Sequence, residues 1–291
     1  MRALFVGLCT LDVITRVGHV PAPNEKLTAS AQLIAAGGPA ANAAATFAHL
    51  GGEAVLLTAF GGHSLAAAID EDLAALGVAV LNLTADSPQP PAVSTILVTE
   101  STGDRAVASM NGTAPGTVPP SPPGDLQALV ASADLVLVDA HHPTLALPAA
   151  RHARAEGIPT LLDAGSWRPG TAPLLPYTDL AVCSADFRPP GTATSSDVLA
   201  FLRGAGVRWP VITRGPLPVL WAGGEVPVPA PTTVADTLGA GDIFHGALAH
   251  ALLTHVRTRL TPTLLTMILR SAAETASRSC ASFGTRAWMR T

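Results

Sequence analysis

The seven residues Asp236-Thr237-Leu238-Gly239-Ala240-Gly241-Asp242 place a carboxylate beside a run with almost no side chain. Gly239, Ala240 and Gly241 leave their backbone N–H groups open to close approach by a ligand. Apolar residues follow at 243, 244, 247, 248, 251 and 252, the spacing of one buried helical face. The small residues therefore stand at a helix N-terminus, where unsatisfied donors and the dipole favour an anion. An anion hole with an acid beside it suits phosphoryl transfer. The N–H groups hold developing charge, and Asp242 takes the proton of an attacking hydroxyl. Read alone, the same residues also describe an ordinary helix start capped by Asp242.

A second glycine-rich helix start lies far upstream. Gly37-Gly38-Pro39 leads into an alanine-rich run, 40–50, that Gly51-Gly52 stops. Asn42 is the polar residue of that first turn. It can hydrogen-bond a ligand hydroxyl, or simply satisfy nearby backbone. Asp12 follows an apolar stretch at 3–9 that reads as a first strand. It stands either at a ligand-binding strand end or as a turn former.

The elements that must position these groups alternate between strand and helix. Strand-like runs occur at 54–60, 134–139, 159–163, 179–183 and 210–213, and helical runs at 64–76, 144–156, 195–204, 242–254 and 262–282. Buried apolar strands between helices argue a mostly parallel sheet with helices on both faces. Residues 17–35 carry Pro21 and Pro23 and read as an excursion of short strands. Runs at 92–99 and 105–110 flank Ser101-Thr102-Gly103-Asp104, a hairpin signal, with Arg105 just after the turn and Asn111-Gly112 closing the unit. The Pro-rich 115–123 stretch reads as a surface loop, and 216–235 as short strands and turns.

Composition narrows the function. The chain has 291 residues, 48% hydrophobic and 13% charged, with a net charge of −4 and no basic run, which argues against nucleic acid. Cys9, Cys183 and Cys280 are widely spaced, form no metal or disulfide pattern, and suit a reducing cytoplasm. No apolar run reaches the length of a membrane span. GxxxxGK[ST], GxGxxG after the first strand, HExxH and GxSxG are all missing, which removes P-loop, dinucleotide, zincin and α/β-hydrolase readings.

The two glycine-rich helix starts, in this order on an α/β sheet, resemble the PfkB (ribokinase-like) carbohydrate kinases. Gly37-Gly38-x-x-x-Asn42 is similar to the family's N-terminal signature, and Asp236-Thr237-x-Gly239-Ala240-Gly241-Asp242 to its highly specific C-terminal one. Gly37 to Ala41, Asp236 to Leu248, and the tail Ser279-Cys280 with Gly284-Thr285-Arg286 are most similar to the sulfofructose kinase and ketohexokinase branch. The resemblance implies a single ribokinase-like domain over 1–291. Its fold would be a three-layer α/β/α with a mostly parallel central sheet and a small β lid, from about 13–35 and 92–111.

It implies ATP as phosphoryl donor, Mg2+ as cofactor, and a small sugar, a ketose or related compound such as sulfofructose, as acceptor. Asp242 would be the base, with Gly239, Ala240 and Gly241 as anion hole. Asp12, Gly38 and Asn42 would hold sugar hydroxyls, and Arg105 and Asn111 would reach substrate from the lid. Thr213, Gly215, Ser184 and Cys280 would lie on the nucleotide side. The family also implies a homodimer through the lid strands and a monovalent cation such as K+ near the 236–242 turn. Two alternatives stay open: a nucleoside kinase of this fold, and a catalytically impaired homologue. The second draws on a departure. Where many relatives carry Asn-x-x-Glu near magnesium, this chain has Ser184-Ala185-Asp186-Phe187. Asp139-Ala140-His141-His142 likewise lacks an arginine that a sulfonate would want.

Overall fold

The computed structural model describes residues 1–113, 118–119, 121–255 and 259–290. The Pro-rich loop expected at 115–123 thus falls partly outside the described residues. From the N-terminus the chain runs β1 (Arg2–Val6), β2 (Thr10–Val17), β3 (Ala31–Gly37), α1 (Pro39–His49), β4 (Glu53–Thr58), α2 (Ala66–Ala75) and β5 (Val78–Asn82). β6 (Val93–Thr99), β7 (Arg105–Ser109), α3 (Leu126–Ala131), β8 (Leu135–Asp139), α4 (Pro143–Glu156), β9 (Thr160–Ala164) and β10 (Leu180–Ser184) follow. The last part holds α5 (Ser195–Gly204), β11 (Trp209–Arg214), β12 (Leu217–Trp221), β13 (Gly224–Val226), α6 (Ala240–His255) and α7 (Pro262–Ser279).

Nine strands form one sheet in the order β13-β12-β11-β10-β9-β8-β1-β4-β5. It is parallel from β11 to β5, and the two outer strands β12 and β13 run antiparallel. β1 shows why the sheet is covered on both faces. Ala3 and Phe5 pack in one apolar cluster with residues of α1, α2, α6 and α7, while Leu4 and Val6 pack in the other with residues of α3, α4 and α5. A strand apolar on both faces from Ala3 to Val6 has no face for water, so both sides must be roofed by helices. No helix among the described residues is long and apolar enough to cross a membrane.

The second sheet has four strands, β3-β2-β6-β7. It is the lid expected from the two excursions, with one difference. The first strand ends at Val6, and β2 begins at Thr10, so Asp12 lies inside a lid strand opposite Ala35 and Ser94, not in a turn. β5 and α3 were not anticipated, and the last helix ends at Ser279, short of 282.

α1 and α6 carry the two glycine-rich starts, and small residues let them meet at backbone distance. A Cβ on Gly246 would stand 2.3 Å from the Ala43 carbonyl oxygen. Gly246→Ala would ordinarily stabilise a helix by up to about 1 kcal/mol. Here we expect a net loss of about 1–3 kcal/mol, because the added methyl must push the two helices apart. Thermal unfolding checks this, and an unchanged or raised Tm would contradict close α1–α6 packing.

Candidate active site

Gly38 begins α1 with φ 90, and a Cβ there would lie 2.5 Å from the Leu8 carbonyl oxygen. Only glycine fits that conformation and that space. Gly37 is bound just as tightly to Asp12, whose carboxylate oxygen would be 2.0 Å from a Cβ at 37. Asp12 is buried and accepts a hydrogen bond from Thr10 Oγ1 at 2.7 Å. Burial raises its pKa, against hydrogen bonds from Thr10 and Ser94.

The packing of α1 on α6 brings Asn42 to Asp242, 200 residues away: Asn42 Nδ2 donates to Asp242 Oδ2 at 2.8 Å. The other end of the Asn42 amide accepts from Arg286 Nη1 at 2.9 Å. Arg286 is itself buried and donates further to the Ala36 carbonyl (2.8 Å), Thr285 Oγ1 (3.1 Å) and Asp72 Oδ2 (3.2 Å). Asn42 is thus oriented from behind by an arginine, and one Nδ2 hydrogen remains for a ligand.

Asp242 stands in the first turn of α6 and is part-buried. Among the described residues, the N–H groups of Gly241 and Asp242 make no hydrogen bond to the chain. Gly239 has φ 69 and packs against Thr285, whereas nothing lies within 4 Å of a Cβ position at Gly241. The result is an open cradle of free donors at a helix N-terminus. Burial pushes the Asp242 carboxyl up to about 6, and the charge of nearby Asp163 adds to the rise.

Asp163, at the end of β9, is buried too, and burial raises its carboxyl as well. His245 lies beneath both. Its Nδ1 is 2.7 Å from the Gly241 carbonyl and 3.4 Å from Asp163 Oδ2, and its Nε2 is 3.3 Å from the Val182 carbonyl. The Asp163 contact lacks hydrogen-bond alignment, which leaves that oxygen without a donor.

The turn before α6 is pinned from three directions. Asp236 accepts from Leu238 N (2.8 Å) and Gly284 N (2.9 Å), and the Cys280 carbonyl accepts from Ala235 N (2.8 Å) and Asp236 N (3.2 Å). The lid docks on it: Thr237 N donates to the Gly103 carbonyl at 3.1 Å, and Arg105 Nη1 donates to the Thr237 carbonyl and hydroxyl at 3.3 and 3.2 Å. Arg105 is therefore an exposed hairpin residue that clasps the 236–242 turn. Asn111 follows β7 with φ 49, and the next residue, Gly112, comes within reach of His141 and His142 beyond the end of β8.

Residues 2–291 match the pfkB family of carbohydrate kinases. The chain belongs to that family. Among solved structures it is similar to a putative ribokinase from Agrobacterium tumefaciens (27% identity, 99% of this chain and 97% of that one, TM-score 0.81). It also shares the fold of Arabidopsis thaliana ribokinase complexed with ribose and ATP (22%, 97% and 93%, 0.75) and of adenosine kinase from Sinorhizobium meliloti (20%, 97% and 94%, 0.77). The protein is a phosphotransferase with a ribokinase-like fold.

In this PfkB kinase three of the residues expected on the nucleotide side, Ser184, Thr213 and Gly215, lie at the ends of neighbouring strands, while Cys280 lies at the end of α7. Ser184 and Thr213 are register partners at the ends of β10 and β11, and Thr213 Oγ1 donates to the Cys183 carbonyl at 3.3 Å. Gly215 turns the chain into β12 with φ 60. Ser184 Oγ is engaged with the Gly165 carbonyl and accepts from Asp186 N. Phe187 is fully buried against Trp167, so the position of the family glutamate is a core position here. Asp186 is exposed. Cys280 caps α7, its Sγ turned to the Ala276 carbonyl.

Sequence reasoning missed Asp163, His245, Asp72 and the role of Arg286. His245 had a signal, a polar residue three positions after Asp242 on an apolar face.

Proposed function

We propose that this kinase transfers the γ-phosphoryl group of ATP to a hydroxyl of a small sugar, a ketose or a related compound. The observation that carries the proposal is Asp242, held by Asn42 beside the free N–H groups of Gly241 and its own residue. Asp242 accepts the proton of the sugar hydroxyl, and the 239–241 backbone stabilises charge on the phosphoryl oxygens as it passes. Asp12, Gly38 and Asn42 face the sugar. The docked lid excludes water, which would compete as acceptor.

The open cradle at Gly241 fits a nucleotide phosphate. The 184–187 segment does not fit a magnesium site built from protein, and among the described residues no three His, Cys, Asp or Glu side chains converge as metal ligands. A hydrated ion carried on nucleotide phosphates needs few protein ligands. Beyond the end of β8, burial lowers the pKa of His142, and its Nε2 has no hydrogen-bond partner among the described residues. A neutral imidazole there supports a hydroxyl-bearing sugar over a sulfonated one.

Three smaller assignments follow. β3 and β7 are edge strands with Ile34 and Val107 exposed, which supports a homodimer through the lid; sedimentation as a monomer would remove it. A monovalent cation such as K+ near the 236–242 turn rests on the family resemblance, and turnover in K+ against a non-binding cation tests it. The three free cysteines suit a cytoplasmic setting, and localisation by fractionation tests it.

A coupled ATP-to-ADP assay over ketoses, ribose, sulfofructose and nucleosides tests the main proposal. We expect turnover with a sugar. Turnover greatest with adenosine or inosine would replace the acceptor class, and none with any acceptor would favour the impaired homologue. The raised Asp242 carboxyl sets the pH profile. A base works only when deprotonated, so kcat/KM should fall about tenfold per unit below about pH 6. A profile flat to pH 4.5 would exclude this carboxylate as the base.

A further inference from the structure

Beyond the other end of α6 lies a largely apolar pocket edged by arginines. α6 has 16 residues, which puts its far end roughly 24 Å from the catalytic turn. There, between β11, β12 and the start of α7, lies a pocket of about 550 Å³. Arg203, Arg208 and Arg259 line it, with Trp209, Trp221 and Thr261, and no Asp or Glu does.

Among the described residues these three arginines form no ion pair. The ion pairs that arginines form among the described residues involve Arg2, Arg16, Arg154, Arg214 and Arg286. Two carboxylates, Asp134 and Asp179, line the adjoining cleft, which Arg208 and Arg259 also edge, and neither forms an ion pair with them. Asp134 accepts from Arg2 N, and Asp179 from Thr160 N and Arg154. In a chain of net charge −4, three arginines on one pocket with no carboxylate in its lining make a local concentration of positive charge. The wall is aromatic: the Trp209 and Trp221 rings are 6.2 Å apart, and the Arg208 guanidinium lies 5.9 Å from the Trp209 centroid. Thr261 caps α7 at the rim, so the positive end of an 18-residue helix opens on the same space.

Arginines without partners match phosphate in a planar, two-pronged geometry, and tryptophan faces take a flat ring. We propose that this pocket is a second ligand site, for an aromatic anion with the chemistry of a nucleoside phosphate, separate from the catalytic turn. The three cations hold the phosphates and the tryptophan wall takes the base.

The test uses ADP as probe, with binding stoichiometry measured by calorimetry on the wild-type chain and on the double variant Arg208→Gln/Arg259→Gln. Both side chains are exposed and outside the catalytic machinery, so the variant should fold and retain turnover. The expected result is one ADP fewer per chain in the variant. Equal stoichiometry in the two proteins overturns the site, whatever the catalytic turn itself binds. Competition then tests the aromatic part. Pyrophosphate should displace ADP from this site at least tenfold less well than ADP itself does. Equal displacement overturns the stacking role of the tryptophans.

Discussion

Asp242→Asn is expected to leave a folded protein that binds nucleotide and turns over sugar about 10³-fold more slowly. The size is that of losing a positioned general base. The change keeps shape and one acceptor oxygen, so the contact from Asn42 Nδ2 survives. It removes a carboxylate that the fold disfavours. A pKa raised to about 6 from 3.8 means the folded state prefers the protonated form, so stability from this group is present below the unfolded value and is lost as pH rises through about 6. At pH 7 the ionised Asp242 therefore works against the fold, and the amide should unfold at the same temperature or higher. That combination separates loss of chemistry from loss of structure. A variant with kcat within tenfold of wild type would remove Asp242 from the reaction.

How much of this was legible in the chain depended on distance along it. The 236–242 turn was readable because its chemistry is local: small residues, a helix start and an acid lie within one turn. Its partner Asn42 stands 200 positions away, and only the resemblance of both segments to one family placed them together. Asp12 read as a strand-end ligand or a turn former, not as a residue within a strand, because a strand that begins four residues after another leaves no punctuation. β5 and α3 were missed for their brevity, five and six residues, too short for either period to show. Asp163 looked like the polar end of a buried strand. Nothing local shows that it faces His245, because that contact arises only when α6 packs over β9 and β10. Arg286 was visible as part of a tail motif, but an arginine near a terminus reads as solvated until the fold buries it.

Arg286 also gives the largest expected effect on stability. It is 6% exposed, and its guanidinium donates to Asp72, Asn42, Thr285 and the Ala36 carbonyl. Arg286→Leu would leave Asp72 without its cation and the Ala36 carbonyl and Asn42 Oδ1 without donors. Removing one partner of a buried pair costs about 3–5 kcal/mol. At roughly 2–4 °C per kcal/mol for a chain of this size, Tm should fall by roughly 6–20 °C. Arg286→Lys should lie between, since an ammonium cannot reproduce the fork that spans Asn42 and Asp72. The same variants separate support from mere packing. Without Arg286 the Asn42 amide can rotate, and Asp242 loses the donor that aims it, so kcat in the lysine variant should fall more than KM rises. A leucine variant that melts within 2 °C of wild type would show that the buried network carries no stability. A lysine variant with unchanged kcat would show that Asp242 is oriented without it.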